Sequence, residues 1–109
     1  MTPEEKALSL FRQPPRCLNC AQTICAAMDR EDMVDGMQDK ARGSAPGGTC
    51  GALYAAMSLS PDRAEATRAA FTAALGANTC AELKALHIPC PRCVQTAITL
   101  LTADRTRSV

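Results

Sequence analysis

Apolar and polar positions follow a helical period along nearly the whole chain. Apolar residues recur at i, i+3, i+4 and i+7, the spacing of one buried helix face, and no useful stretch shows the strict alternation of a half-buried strand. We therefore predict an all-α fold. The two clearest stripes are Ala21, Ile24, Cys25 and Met28, and Val94, Ala97, Ile98 and Leu101.

Prolines and glycines divide this pattern into about five to six short helices. The longest break is the loop 43–48, and Gly36 interrupts a weaker helical pattern over 33–41. The tail from about Asp104 is polar, and we expect it to be frayed. No segment between breaks has enough apolar residues for a core of its own, so residues 1–109 form a single domain, a small compact bundle. The predicted helices cover 3–13, a segment starting near Asn19, 49–59, 61–75, 79–86 and 90–103.

The composition supports closely packed helices. Only three of the 109 residues are aromatic, namely Phe11, Tyr54 and Phe71, so the core must be built from aliphatic side chains and many alanines. Alanine is the best helix former and a poor strand former.

Charge and hydropathy exclude two classes of partner. The formal net charge is +1, from 12 basic and 11 acidic residues, so no overall field attracts nucleic acid or an anionic membrane. No apolar run approaches the roughly 20 residues of a membrane span, and the N-terminus lacks the basic and apolar blocks of a signal peptide. We expect a cytoplasmic protein that binds neither nucleic acid nor membranes.

The seven cysteines are the feature that carries chemistry. An odd number does not suit a fully paired disulfide framework. In a reducing compartment such a set is more typical of a metal-binding or redox-active protein.

Four of these cysteines lie at the predicted starts of helices. Asn19 and Thr79 are predicted helix caps, each with Gln or Glu three residues later as in a capping box, and Thr49 is a third predicted cap. The N–H groups and dipole of a helix N-terminus favour an anion and lower a thiol pKa. The candidate thiolates and ligands are Cys20, Cys50, Cys80 and Cys90.

The remaining cysteines and the glycines near Cys50 have secondary roles in this interpretation. Cys25 lies inside its helix and is predicted to be a buried core residue. Cys17 and Cys93 each complete a Cys-x-x-Cys motif, so either is an extra ligand, a resolving thiol or filler. Three glycines, which we expect to let the backbone pass close to a bulky centre, surround Cys50. They are Gly47, Gly48 and Gly51.

Three kinds of centre fit these residues. Four scattered cysteinates suit an iron–sulfur cluster. Cys90-Pro91-Arg92-Cys93 has the spacing of a catalytic dithiol but lacks the α/β context of thioredoxin-like enzymes, and Cys50 or Cys20 would be its partner. Zinc held by distant thiolates is the third alternative. His87, the only histidine, lies shortly before Cys90. A lone loop histidine is more often exposed to solvent than bound to a ligand, so we expect His87 to face solvent.

The residues and the order of four cysteine motifs resemble those of the family of redox-active proteins named for its C_GCAxxG_C_C cysteine pattern. The resemblance spans roughly Leu8 to Leu101. One departure is Ala55, which stands where the family has the final glycine of CGAxxG, and the spacer from Cys80 to Cys90 is shorter. The matching motifs are Asn19-Cys20-Ala21-Gln22, Gly47-Gly48-Thr49-Cys50-Gly51-Ala52-Leu53, Cys80-Ala81-Glu82-Leu83 and Cys90-Pro91-Arg92.

The resemblance implies a helical domain with a redox or electron-transfer role, in which Cys20, Cys50, Cys80 and Cys90 are the family cysteines. Larger relatives, similar to split-Soret cytochromes, are associated with an iron–sulfur centre. A redox partner protein is therefore expected. Whether the chain is itself an oxidoreductase, and whether it forms a homodimer, both stay open at this point.

Overall fold

The computed structural model describes residues 2–41 and 43–107, with side chains up to Thr102. Its six α-helices confirm the all-α prediction. They are α1 (Pro3–Leu10), α2 (Cys20–Ala27), α3 (Gly51–Leu59), α4 (Ala64–Leu75), α5 (Cys80–Ala85) and α6 (Cys90–Arg107). Short 3₁₀ turns occupy Glu31–Met33, Asp35–Met37, Pro46–Gly48 and Pro61–Arg63.

The helices differ from the predictions mainly in three places. Helix α1 ends at Leu10 rather than at residue 13. Where the weak helical pattern over 33–41 begins, the chain forms two 3₁₀ turns on either side of Val34, Glu31–Met33 and Asp35–Met37, rather than a continuous helix. This agrees with the prediction that Gly36 interrupts the pattern. Helix α6 continues to Arg107, past the predicted end at 103. Residues 108 and 109 of the tail lie outside the described part of the chain.

One hydrophobic core lies between α2, α3, α4 and α6. Its largest fully buried side chains include Ile24, Leu53, Phe71 and Ile98, one from each of these helices. Helix α6 is central, because it packs against α1, α2, α3 and α4. The two apolar stripes predicted from α2 and α6 are buried as expected, whereas Leu8 of α1 is 43% exposed.

Within the described residues there is no β-strand. Two isolated bridges are present. The first joins Phe11 with Leu18 across a turn, and the second joins Thr49 with Thr79, which are distant in sequence. The second bridge brings the start of α3 beside the start of α5. Helix α5 lies at the edge of the bundle and joins the core through buried Leu83.

No described helix has both the length and the apolar character needed to cross a bilayer.

Candidate functional site

Six of the seven cysteines line one cavity of about 310 Å³. The cavity lies where the starts of α2, α3, α5 and α6 meet, so the topology brings together residues that are far apart in sequence. All seven cysteines are free thiols. The six on the cavity wall are Cys17, Cys20, Cys50, Cys80, Cys90 and Cys93.

Helix starts position four of these side chains. Cys20, Cys80 and Cys90 are the first residues of α2, α5 and α6, and Cys50 immediately precedes α3. The Asn19 side chain accepts the Gln22 N–H at 2.7 Å, and the Gln22 side chain accepts the Asn19 N–H at 3.2 Å. The predicted capping box before Cys20 is therefore confirmed.

The other two caps follow the prediction less closely. The Thr79 hydroxyl accepts the Glu82 N–H, but it also donates to the Glu82 carboxylate, so the pair is not a reciprocal box. The prediction that Thr49 caps α3 is wrong. Cys50 occupies the cap position, while the Thr49 hydroxyl donates to the Pro46 carbonyl oxygen at 2.9 Å.

The backbone fixes Cys50 beside the start of α5. Its N–H donates to the Asn78 carbonyl oxygen at 2.9 Å, next to the bridge between Thr49 and Thr79. This bond sets the position of Cys50 relative to Cys80, because Thr79 directly precedes Cys80 in the chain.

Cys20 lies against the first turn of α3. A methyl group added at Gly51 would stand 2.6 Å from the Cys20 sulfur and 2.6 Å from the Lys40 carbonyl oxygen. Only glycine therefore fits between α2 and the backbone at Lys40. The Ala52 N–H interacts with the sulfurs of both Cys20 and Cys50, so these two sulfurs share one end of α3.

Gly47 and Gly48 play a different part from Gly51. Both have positive φ, 70° and 72°, which side chains other than glycine rarely adopt. A methyl group at Gly48 would meet nothing within 4 Å. These two glycines therefore serve the turn that leads to Cys50, and only Gly51 is packed closely against a cysteine.

Cys50 and Cys93 form a thiol pair. A hydrogen bond with Cys93 is the main reason that the pKa of Cys50 is lowered to about 7, and the N–H groups of Leu53 and Ala52 lower it further against the effect of burial. The same bond, with burial, raises the pKa of Cys93 far above its ordinary range. The two thiols titrate as a pair, so the first proton leaves more easily than from an isolated thiol and the second is held more strongly.

A helix start alone does not make a thiolate. Burial, with the negative charges of Cys50 and Cys90, raises the pKa of Cys20 to about 11, although the N–H groups of Ala21 and Ala52 act in the opposite direction. The general expectation of lowered pKa values at helix starts therefore fails for Cys20 as the side chains stand.

Two basic residues of the site were not identified from the sequence. Arg12 donates to the Cys90 sulfur at 3.8 Å and its guanidinium lies 4.7 Å from the centre of the Phe11 ring. Lys84 of α5 also lines the cavity. Arg12 lies outside the cysteine motifs, and the turn that pairs Phe11 with Leu18 places it beside the cavity.

The other candidates lie away from the cavity or at its edge. Cys25 is fully buried in α2, as predicted, and does not line the cavity. Cys17 is exposed and lies between this cavity and an adjoining groove. His87 is exposed in a turn with φ of 61° and is not among the described lining residues.

The sulfurs surround the cavity rather than converging on one point. Among the described side chains, no three from cysteine, histidine, aspartate and glutamate are grouped so that they could hold a single metal ion.

Comparison with models of known protein families finds no match. Comparisons with curated proteins and with solved structures also find no match.

Proposed function

We propose that this protein is a small redox or electron-transfer protein whose cavity cysteines bind an iron–sulfur cluster. The observation that carries the proposal is the presence of six cysteines on the wall of one cavity of about 310 Å³. The resemblance of the cysteine motifs to those of the C_GCAxxG_C_C family adds support, and it implies Cys20, Cys50, Cys80 and Cys90 as ligands, with Cys17 and Cys93 as further candidates.

The surroundings suit an anionic, thiolate-bound group. The charged side chains that line the cavity beside the thiols, within the described part of the chain, are Arg12 and Lys84, and both are basic. Backbone N–H groups at the start of α3 face the Cys20 and Cys50 sulfurs. Hydrogen bonds to the sulfurs, net charge and solvent exposure are the means by which a protein sets a cluster's potential.

A bound cluster would supply one-electron transfer, and this chain's residues would supply the rest. The helix starts orient the sulfurs, Leu18, Leu83 and Ile88 limit the entry of water, and Arg12 offsets negative charge near Cys90. The proposal includes a cytoplasmic location and a redox partner protein that exchanges electrons with the centre.

Anaerobic reconstitution with ferrous iron and sulfide tests the cluster. We expect iron and acid-labile sulfide to be retained after desalting, together with visible absorption that is bleached by dithionite. Cys25→Ala is the matched control, because it removes a buried cysteine outside the cavity, and it should load like the parent chain. A colourless protein with all seven thiols titratable would contradict the proposal.

A second candidate is thiol–disulfide exchange, and the Cys50–Cys93 pair favours it. The Cys50 thiolate would attack one sulfur of an external disulfide, form a mixed disulfide and displace one thiolate, which takes up a proton from solvent. Cys93, after losing its proton to solvent, would then attack the Cys50 sulfur and release the second thiol. The external disulfide is reduced to two thiols, and the two cysteines become one disulfide.

This candidate differs from a dithiol of Cys90 and Cys93 in its pairing, because the hydrogen bond joins Cys93 to Cys50. Incubation of the reduced chain with an aromatic disulfide, followed by peptide mapping, distinguishes the two pairings. A Cys50–Cys93 disulfide is expected. Exchange that persists in Cys50→Ser would rule out Cys50 as the attacking thiol. Zinc bound by the same thiolates, with no redox turnover, is detected by metal analysis of the protein as purified.

A further inference from the structure

The two basic side chains at the cysteine cavity are not neutralised by carboxylates. Arg12 and Lys84 line the cavity, and within the described part of the chain no carboxylate lines it. Neither residue has a carboxylate partner among the described side chains. Five basic side chains that do not line the cavity are paired with carboxylates, namely Lys6, Arg16, Arg30, Lys40 and Arg68.

Two contacts hold Arg12 at the cavity. Its guanidinium lies 4.7 Å from the centre of the Phe11 ring, and one of its nitrogens donates to the Cys90 sulfur at 3.8 Å. A guanidinium has five N–H donors in a planar fork that matches the two oxygens of a carboxylate. Most of these donors therefore remain available to a group that enters the cavity.

Lys84 brings its charge from a different segment, the short helix α5. Glu82 lies two residues before it, a spacing at which helix side chains do not face each other. The Glu82 carboxylate accepts from the Thr79 hydroxyl at 2.8 Å. Arg92, exposed on the first turn of α6 shortly after Cys90, is a further cation without a carboxylate partner among the described side chains.

The cavity has the size and the depth of a site for a small molecule. Its volume of about 310 Å³ is at the lower end of the range for such sites. Cys17 is exposed, so the cavity opens to solvent, whereas Cys50 and Cys93 are only 6% and 4% exposed. A disulfide on the surface of a protein would meet Cys17 first, but a small disulfide can enter and reach the buried pair.

We propose that the substrate of the thiol–disulfide exchange is a small disulfide that carries carboxylates. This rests on the second candidate function above, since it names the substrate class of that exchange. Arg12 and Lys84 attract and orient the carboxylates, and the apolar part of the wall contacts the carbon skeleton. That part consists of Leu18, Leu83 and Ile88.

The exchange needs no reactant besides the disulfide. The Cys50 thiolate bonds to one sulfur of the substrate while the S–S bond of the substrate breaks, and the displaced thiolate takes up a proton from solvent. Cys93, after losing its proton to solvent, attacks the Cys50 sulfur and displaces the second thiolate, which is protonated in turn. The substrate gains two electrons and becomes two thiols, and the chain loses two electrons and gains one disulfide.

Three disulfides of similar size test the substrate class. Dithiodipropionate carries two carboxylates, cystamine two ammonium groups and hydroxyethyl disulfide no charge. The reduced full chain, with a chelator present, is mixed with each disulfide, and acid quenching with peptide mass spectrometry gives the rate at which the free Cys50 thiol disappears. Each rate is divided by the rate of the same disulfide with mercaptoethanol. At low salt dithiodipropionate should give the highest value, and added salt should lower it.

Two variants connect this preference to the cavity. Arg12→Met and Lys84→Met should each slow dithiodipropionate by about twofold to fivefold, the range for one partly exposed charge, and should affect hydroxyethyl disulfide far less. Arg68→Met is the matched control, because it removes the same charge from a residue that pairs with Glu65 and does not line the cavity. The helical circular dichroism of each variant shows whether it folds.

The outcomes separate the substrate class from the activity. Equal slowing of dithiodipropionate and hydroxyethyl disulfide in the variants would overturn the class, and so would a value for cystamine at least as high as that for dithiodipropionate. If no disulfide oxidises Cys50 of the parent chain, the exchange itself fails and the class fails with it. Retention of iron after reconstitution is measured separately and decides the cluster proposal alone.

Discussion

Cys50 and Cys25 are both buried, yet their surroundings give them opposite chemistry. Cys50 lies at the start of α3 on the cavity wall, where a thiol partner and backbone N–H groups lower its pKa to about 7. Cys25 lies inside α2, in the core, where burial raises its pKa to about 11 against the effect of Arg30. Burial alone therefore predicts an inert thiol, and it is the hydrogen-bond donors at one end of the bundle that make a reactive one.

The close packing of the cavity region is most sharply tested at Gly51. Gly51→Ala forces a methyl group against the Cys20 sulfur and the Lys40 carbonyl oxygen, and overpacking of this kind costs about 1–3 kcal/mol. Urea unfolding of the reduced protein measures the loss. Gly36→Ala is the matched control, because a methyl group there meets nothing within 4 Å, and its effect should stay within about 0.5 kcal/mol. Equal effects of the two substitutions would contradict the close approach of α2 to α3.

The difference between Cys50 and Cys25 should also be visible in their reactivity. Without the Cys93 hydrogen bond the pKa of Cys50 rises towards its ordinary range, so Cys93→Ala should slow alkylation of Cys50 at pH 7 by about tenfold or more. Iodoacetamide labelling of the reduced chain in the presence of a chelator, followed by peptide mass spectrometry, gives the rate. Cys90→Ala removes a neighbouring thiol that is not bonded to Cys50 and should change the rate far less.

Most of the fold is predictable from the sequence because its signals are local. The capping box of Asn19 and Gln22, and the apolar stripes of α2 and α6, each involve residues within two turns of one another. The 18-residue length of α6 was underestimated, since the polar residues from Asp104 onward resemble a tail.

The site was only partly predictable, for a physical reason. Helix starts identify Cys20, Cys50, Cys80 and Cys90, but the contact between Cys50 and Cys93 depends on how α6 is rotated against α3. No local spacing encodes that rotation. Arg12 is not predictable from a local pattern either, because the turn that brings Phe11 beside Leu18 places Arg12 at the cavity.

The raised pKa values of Cys20 and Cys25 predict a loss of stability at alkaline pH. Both groups have pKa values of about 11 in the folded chain, above the value of about 8.5 expected when unfolded. Their stabilising contribution is complete below about pH 8.5 and is lost as pH rises towards 11, by up to about 1.4 kcal/mol per pH unit for each thiol.

Urea unfolding between pH 8 and pH 11 under reducing conditions measures this slope. The double variant Cys20→Ala, Cys25→Ala should show a shallower decline than the parent chain. An unchanged slope would show that neither thiol is held neutral by the fold.

The smallest expected effect concerns Arg12. If the cluster is bound, Arg12→Met removes a positive charge beside Cys90 and should shift the reduction potential by a few tens of millivolts to more negative values. An exposed charge contributes up to about 1 kcal/mol. A tenfold change in the equilibrium constant of a one-electron reduction corresponds to about 59 mV. Spectroelectrochemical titration measures the shift. Arg16→Met is the control, because Arg16 pairs with Glu31 and does not line the cysteine cavity.

Helix α5 has a thermodynamic consequence for whatever the cavity holds. Its six residues are fewer than the roughly 12–15 at which an isolated helix becomes marginally stable in water, so its order depends on the Thr79 cap, the bridge to Thr49 and buried Leu83. Leu83 and Lys84 also line the cavity. A group that touches them is bound more tightly when α5 is formed, and by reciprocity it stabilises α5 by the same free energy. Occupancy of the cavity and folding of α5 are therefore linked equilibria, and the concentration of the bound group sets the balance of both.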